Sequence, residues 1–514
     1  MRVPLLSSAV FSIAVLAACG SSHNGQSICD NIVPAPAACM QACDPSPGAP
    51  STCPGGYHCT PDGKCDAVCT PSGGECGDGY TCTSDGQCKQ IGACEGIQCN
   101  IVACAAMGMP ATTISGKVYA PNGTLPLYGV TVYVPLHPVG DLPTGAVCNK
   151  CADTPLGDPI VSAITQEDGT FSLQDVPSGT DIPVVIVSGK WRRIIKVSTV
   201  AQCADTPLTA ADTSLPKSPT DMTPSTVSVN MPKIAITTGG ADSLECLIRK
   251  MGVADSTITA GGGTGQVQLW QGNGLSKMAN STAIPDATPW WKNVDNLKEF
   301  DAVILSCEGG QNPDTKPQPA LDAMKAYADF GGRVFASHWH NIWIEGATQG
   351  GNGQKPAVWP TVATWSNKSD LGTGVVDAID EANNPKGVSF ATWMVNVGAS
   401  PTRDTIPIMD NTGKTTVIQV DPTKGERWTT VQSAPNSSSG NVAGVTQNFQ
   451  FVTPNEGDHA SACGKVVFSD MHVSGPITGD TFPTACGSNT TLSPQEKALA
   501  FMLFDLSSCV GAIF

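Results

Sequence analysis

Phe300-Asp-Ala-Val-Ile-Leu-Ser-Cys-Glu308 and Arg333-Val-Phe-Ala-Ser-His-Trp-His340, joined by a helical run over 321–330, decide the fold of the largest part of this chain. Residues 300–305 are almost wholly apolar, as a strand buried on both faces of a parallel sheet must be. Gly331-Gly332 stops the helix, and 333–337 is the next strand. The alternation continues outward in both directions. Lys233-Ile-Ala-Ile-Thr237 reads as a strand ending at Gly239-Gly240. Asp242 is expected to cap the following helix, with Glu245 at the reciprocal capping position. Leu244, Leu247, Ile248 and Met251 form that helix's apolar face, and Gly252 ends it. Lys465-Val-Val-Phe-Ser469 is a later strand. The last helix has Ser493 as cap, Pro494 at its first position and Glu496 completing a capping box. Residues 233–514 are therefore read as an α/β domain.

Ligands of such sheets bind at the carboxyl ends of the strands. His338-x-His340 and Asp470-x-His472 follow two of the predicted strands, and each pair shares one face of an extended segment. If those strands adjoin, three imidazoles and a carboxylate meet near Glu308. Three readings stay open: a divalent metal site, a metal-free acid–base or ligand pocket, and histidines that only fasten loops. No cofactor is expected outside the metal alternative.

The segments 300–310, 321–340 and 464–506 resemble the class I glutamine amidotransferase-like fold, a flavodoxin-like three-layer sheet. The resemblance implies a nucleophile elbow after Val334-Phe335-Ala336-Ser337, where His338 stands in place of the required cysteine. Cys307 falls at the family's oxyanion loop. The amidotransferase reaction is therefore expected to be absent, and no Gly-x-Ser-x-Gly marks a triad hydrolase. Gly261-Gly-Gly-Thr-Gly265 lacks the third glycine and the setting of a dinucleotide fingerprint.

Upstream, residues 112–232 carry strand signals. Ile114-Ser-Gly-Lys-Val-Tyr119 alternates, Gly129-Val-Thr-Val-Tyr-Val134 follows, and 162–173 reads as a hairpin around Asp168-Gly169. Val176-Pro-Ser-Gly179 turns the chain into Pro183-Val-Val-Ile-Val187, and 204–230 reads as an edge loop or linker. This order resembles the carboxypeptidase regulatory-like domain, a transthyretin-type β-sandwich classed with carbohydrate-binding-like folds. The resemblance implies a fold and no catalytic group. Cys148-Asn-Lys-Cys151 and Cys203 are expected to form a disulfide clamp; a redox pair would need a βαβ setting.

Of 22 cysteines, 14 lie at or before Cys104. Such density belongs to an oxidising compartment. Cys53-x5-Cys59-x5-Cys65 recurs as Cys76-x5-Cys82-x5-Cys88, with Cys43 and Cys69 leading the copies and Asp62-Gly63 and Asp85-Gly86 at the turns. These units resemble the cysteine-rich, growth-factor-like modules of secreted proteins and make 29–111 a disulfide-held stalk. Zinc is not expected there, because Cys-x2-Cys pairs are missing. Reduction is expected to loosen the stalk and leave the α/β domain largely folded.

Arg2 and the apolar run 3–16 form a signal peptide over 1–18, ending at Leu16-Ala-Ala-Cys19. This resembles a bacterial lipobox, which implies lipid on Cys19, a tether over 19–28, and an outer-membrane location. With Cys19 lipidated, 21 cysteines remain, so at least one is free or paired between chains.

Lys and Arg number 28 against 44 Asp and Glu, for a net charge of −16, which excludes nucleic acid as a partner. Nine of ten tryptophans fall between Trp270 and Trp428, favouring a tryptophan-built core over a glycan-stacking face. The function expected is a surface lipoprotein that binds envelope or extracellular material, a glycan or a surface protein, without catalysis. The alternatives are a hydrolase acting on a surface polymer through His338, His340, Asp470, His472 and Glu308, and a structural envelope protein.

Overall fold

Apolar parallel strands and more polar antiparallel ones assemble into a ten-stranded mixed sheet, the largest element of the computed structural model. The structure describes residues 94–510 except 152, 154, 349–357, 360–361, 367–369, 457–458 and 474–478. Before 94 it describes only Cys29, 37–43, Cys53, 57–60, 62–67, Cys69, 80–82 and 88–90. The expected signal peptide over 1–18, the expected tether over 19–28 and Cys19, the expected site of lipidation, lie outside the described residues. The chain is multidomain, with two compact units, Met1–Gly92 and Ala93–Phe514.

The first unit is a disulfide-rich module. Tyr57–Cys59 pairs antiparallel with Cys65–Ala67, and Tyr80–Cys82 with Cys88–Gln90. Cys43 bonds Cys59 and Cys53 bonds Cys65, while Cys69, the leader of the second copy, bonds Cys82. The register Cys59↔Cys65 recurs as Cys82↔Cys88. Repeat equivalence therefore predicts a Cys76–Cys88 bond, which peptide mapping under non-reducing conditions checks. Recovery of Cys76 as a free thiol would break the equivalence.

In the second unit, five strands run in the spatial order Thr226–Asn230, Trp191–Val200, Gly179–Ser188, Thr131–Pro135 and Pro159–Ile164. Three more, Asp205–Pro207, Thr113–Lys117 and Thr170–Leu173, form a second small sheet. Two expectations are corrected here. Residues 162–173 are not a hairpin: the Asp168-Gly169 turn, with Gly169 at φ 84°, carries the chain from one sheet to the other. Residues 204–230 are not merely a linker, since Asp205–Pro207 and Thr226–Asn230 complete the edges of the two sheets.

The large sheet begins with six parallel strands in the order Ile258–Ala260, Val267–Gln271, Ile234–Thr238, Ala302–Leu305, Arg333–Ser337 and Gly464–Ser469. Four antiparallel strands extend it: Thr446–Thr453, Glu426–Ser433, Val376–Ile379 and Thr405–Pro407. The strand order reverses between Ile234–Thr238 and Ala302–Leu305, which makes a crevice at their carboxyl ends the natural ligand position. Helix Gln318–Phe330 ends at Gly331, φ 128°. Helix Pro494–Ser507 starts with the full Ser493/Glu496 capping box.

One core runs through the small sheets and the large one, from Ile114 and Val184 to Ile304 and Phe501. Tyr128 stacks on Phe501 at 6.1 Å, Trp191 meets Phe504 at 6.3 Å, and Trp393 donates to the Pro126 carbonyl at 2.8 Å. Covalent ties follow the same seam. Cys148 bonds Cys463 and Cys151 bonds Cys509, while Cys203 bonds Cys104. The Cys-x2-Cys segment is thus a clamp onto the far end of the chain. Trp291, Trp343, Trp359, Trp393 and Trp428 are fully buried, so these tryptophans build core.

Candidate functional site at the carboxyl edge of the parallel strands

Strand Arg333–Ser337 lies beside Gly464–Ser469, with Ser337 opposite Ser469. The residues that follow, 338–340 and 470–472, therefore leave the sheet side by side. Cys307 lies two residues beyond Leu305, at the strand-order reversal. Its backbone is fixed by Gly239: a side chain there would stand 2.2 Å from the Cys307 carbonyl oxygen, which also accepts from Ala241 N–H at 3.0 Å.

Cys307, His338 and His472 converge. Their ligating atoms lie within 4.8 Å of one another, and all three residues are buried. Cys307 Sγ is 3.5 Å from His338 Nδ1, and the two imidazole rings are 5.1 Å apart. His338 takes φ 43° at the strand-to-helix turn, a left-handed conformation costly for a residue with Cβ. Ser337 Oγ donates to Asp242 Oδ2 at 2.7 Å, and Val473 N–H donates to Asp242 Oδ1 at 2.9 Å. Asp242 was expected to cap the helix at Leu244–Lys250. It instead fastens the ends of two strands, and Ser243 occupies the cap position without a side-chain capping bond. His472 N–H donates to the Thr412 carbonyl at 3.0 Å, and its own carbonyl accepts from the Gln495 amide.

The other three predicted residues are turned to different tasks. His340 uses both ring nitrogens: Trp343 Nε1–H donates to Nδ1 at 2.9 Å, so Nε2–H donates to the Ser306 carbonyl at 2.9 Å. Burial brings its value down to about 4, and the ring is neutral. The Asp470 carboxylate accepts from Thr416 N–H at 2.6 Å, Thr416 Oγ1–H at 2.7 Å and Val417 N–H at 3.3 Å. Burial pushes its carboxyl up to about 7 despite those donors. Glu308 forms a buried ion pair with Lys316 at 2.7 Å and accepts from Asn312 Nδ2 at 2.8 Å. Burial works against its charge, but the Lys316 ammonium and the Asn312 amide bring its carboxyl below the ordinary value.

A thiol 3.5 Å from an imidazole raises the question of a nucleophile. Burial pushes the Cys307 thiol up to about 12 and lowers His338 well below its usual value. An activated cysteine needs the opposite shift, toward thiolate and imidazolium. Cys307–His338 is therefore a neutral buried pair. Sequence reasoning had placed Cys307 at a strand end but outside the cluster. Two signals point to it: its position at the reversal of strand order, and the odd cysteine count. Among the described residues Cys307 is the free cysteine.

Next to the site, Glu245 is fully buried, with Ser306 Oγ 3.4 Å from Oε2. Burial pushes its carboxyl up to about 8, against an unperturbed 4.5. Between those values the folded state holds a proton that the unfolded chain releases. The stability this allows is present below about pH 4.5 and falls by ~1.4 kcal/mol per pH unit as pH rises toward 8. Glu245→Gln should flatten that slope in urea unfolding between pH 5 and 8. An unchanged slope would mean that Glu245 is ionised in the folded protein.

No protein-family model matches the chain, and no curated protein matches it. Solved structures resemble parts of it. A ThuA-like protein from Bacteroides uniformis ATCC 8492 aligns over 52% of this chain and 88% of its own, at 12% identity and TM-score 0.28. A chain of a type II cohesin–X-dockerin complex from Acetivibrio cellulolyticus, a C-terminal interface mutant, aligns over 20% of this chain at 25% identity and TM-score 0.13. That match spans about half, 56%, of the cohesin–dockerin chain. The N-terminal interface mutant of the same complex aligns over 33% of this chain and 80% of its own, at 19% identity and TM-score 0.14.

Proposed function

We propose that this protein is an exported envelope lipoprotein, held by lipid on Cys19, that presents a rigid, non-catalytic binding body to envelope or extracellular material. The carrying observation is the cysteine inventory. Nine disulfides join described residues, including bonds across 99, 240, 315 and 358 positions of sequence. Bonds of that number form and persist outside the reducing cytosol. In this reading the small sheets of 112–232 are a regulatory-like sandwich and 233–514 is a degenerate amidotransferase-like domain. A non-catalytic role is favoured by the geometry of the site: His340, Asp470 and Glu308 are consumed by internal bonds. The ligand class is a glycan or a surface protein, with nucleic acid disfavoured by the net charge of −16.

No helix among the described residues is long and apolar enough to cross a membrane. Lipid on Cys19 then carries the whole attachment, and Cys19→Ser should move the protein from the membrane fraction to the soluble one. Retention of that variant on membranes in high salt rules the anchor out. The hydrolase reading has one test of its own: turnover of a surface polymer that is lost in Asp470→Asn without loss of fold.

A further inference from the structure

We propose that Cys307, His338 and His472 are the protein ligands of a transition-metal ion of the zinc or copper class, seated where the parallel strands reverse their order. The geometry carries this first. A tetrahedral ion with about 2.3 Å to sulfur and about 2.0–2.1 Å to nitrogen holds those atoms about 3.5 Å apart. Cys307 Sγ and His338 Nδ1 are 3.5 Å apart, and the third ligand falls within the same 4.8 Å limit.

The second observation is unmet polarity. Nε2 of His472 is buried without a hydrogen-bond partner. An unsatisfied buried polar group costs about 1–3 kcal/mol, so ordinary core histidines find partners at both nitrogens. His340, two residues from His338, does so with Trp343 and Ser306. His338 and His472 spend ring capacity facing each other and a sulfur.

Third, Cys307 is a reduced cysteine in a chain otherwise laced with disulfides. The Gly309 N–H points at its sulfur at 3.5 Å, and the Trp339 N–H is directed there as well. Backbone donors around a sulfur are the usual surroundings of a metal thiolate. The ligand positions are also held firmly, by Gly239 behind Cys307, by Ser337 and Asp242 beside His338, and by Thr412 and Gln495 at both ends of the His472 peptide. Thiolate and imidazole select zinc or copper; calcium and magnesium require oxygen ligands. Three protein ligands leave one tetrahedral position for a small exogenous donor.

The test uses the full chain, exported from cells grown in zinc- or copper-supplemented medium and washed with a weak chelator. Elemental analysis should find about one equivalent of one of these metals per chain, as expected for a buried site formed with the fold. His137→Ala, outside the cluster, should keep it. Cys307→Ala and His472→Gln should each lower occupancy about tenfold or more. Because either variant could misfold, the unmutated protein grown with cobalt supplies a second readout, a thiolate-to-cobalt charge-transfer band in the near ultraviolet. Metal-free protein from both media with no cobalt band overturns the proposal, and so does equal occupancy in a folded Cys307→Ala variant.

Discussion

Lys316→Met is expected to destabilise the second unit by about 3–5 kcal/mol, the range for removing one partner of a buried ion pair. Lys316 and Glu308 have side chains 0% and 3% exposed, and Nζ to Oε2 is 2.7 Å. Burial lowers the Lys316 ammonium below its ordinary value, and the Glu308 charge opposes that. The ammonium also sits 5.0 Å over the Trp291 ring, which adds a cation–π contact. Methionine keeps the length of the stem and removes the charge. Glu308 is then left with Asn312 and a neutral His340, whose Nε2 is 3.9 Å from Oε1. Adding Glu308→Gln to Lys316→Met should recover most of the loss, because the cost lies in the unpaired carboxylate. Guanidinium unfolding of the single and double variants measures both. A single-variant loss under ~1 kcal/mol is the signature of a solvent-exposed pair and would refute this burial.

Four of the six parallel strands, Ile234–Thr238, Ala302–Leu305, Arg333–Ser337 and Gly464–Ser469, were legible as short apolar runs, while Ile258–Ala260 and Val267–Gln271 were not read. The final helix was legible for the same kind of local reason: Ser493 and Glu496 exchange both capping bonds. The antiparallel extension carries no such signal. Thr446–Thr453 is buried at every position yet contains Thr446, Gln447, Asn448, Gln450 and Thr453. It is stabilised by side-chain bonds such as Asn448 Nδ2–H to Thr429 Oγ1 at 2.7 Å and Gln450 Nε2–H to Glu426 Oε2 at 2.6 Å. A hydrophobic period cannot find a strand whose burial rests on partners elsewhere in the chain. The site divides the same way. His338 and His472 meet because their strands adjoin, whereas Asp470 turns to Thr416 and His340 to Ser306, contacts set by loops of irregular backbone. Cys307 joined the cluster from a strand the histidine spacing did not mention.

Removing both clamps, by Cys148→Ala with Cys463→Ala and Cys151→Ala with Cys509→Ala, is expected to abolish a cooperative folded state of Ala93–Phe514 at physiological temperature. Cys148 and Cys151 sit three positions apart in the insert of the small sheets, and their partners bracket the last strand and helix of the large one. While one bond holds, the other closes an effective loop of only about 50 residues, so losing a single bond costs about 4 kcal/mol on the chain-entropy relation. Losing the second, with Cys104–Cys203 and Cys246–Cys486 still in place, releases an effective loop of about 110 residues and brings the total to about 9 kcal/mol. A domain's whole stability is of the order of 5–15 kcal/mol. Single-pair variants should therefore melt cooperatively at lower temperature, and the quadruple variant should lose most of its near-ultraviolet dichroism and become protease-sensitive. The same reasoning revises the expectation that reduction spares the α/β part: Cys246–Cys486, Cys148–Cys463 and Cys151–Cys509 all restrain it. A quadruple variant that melts within a few degrees of the parent would show that the shared core of Tyr128, Trp191, Trp393, Phe501 and Phe504 holds the sheets together without the covalent clamp.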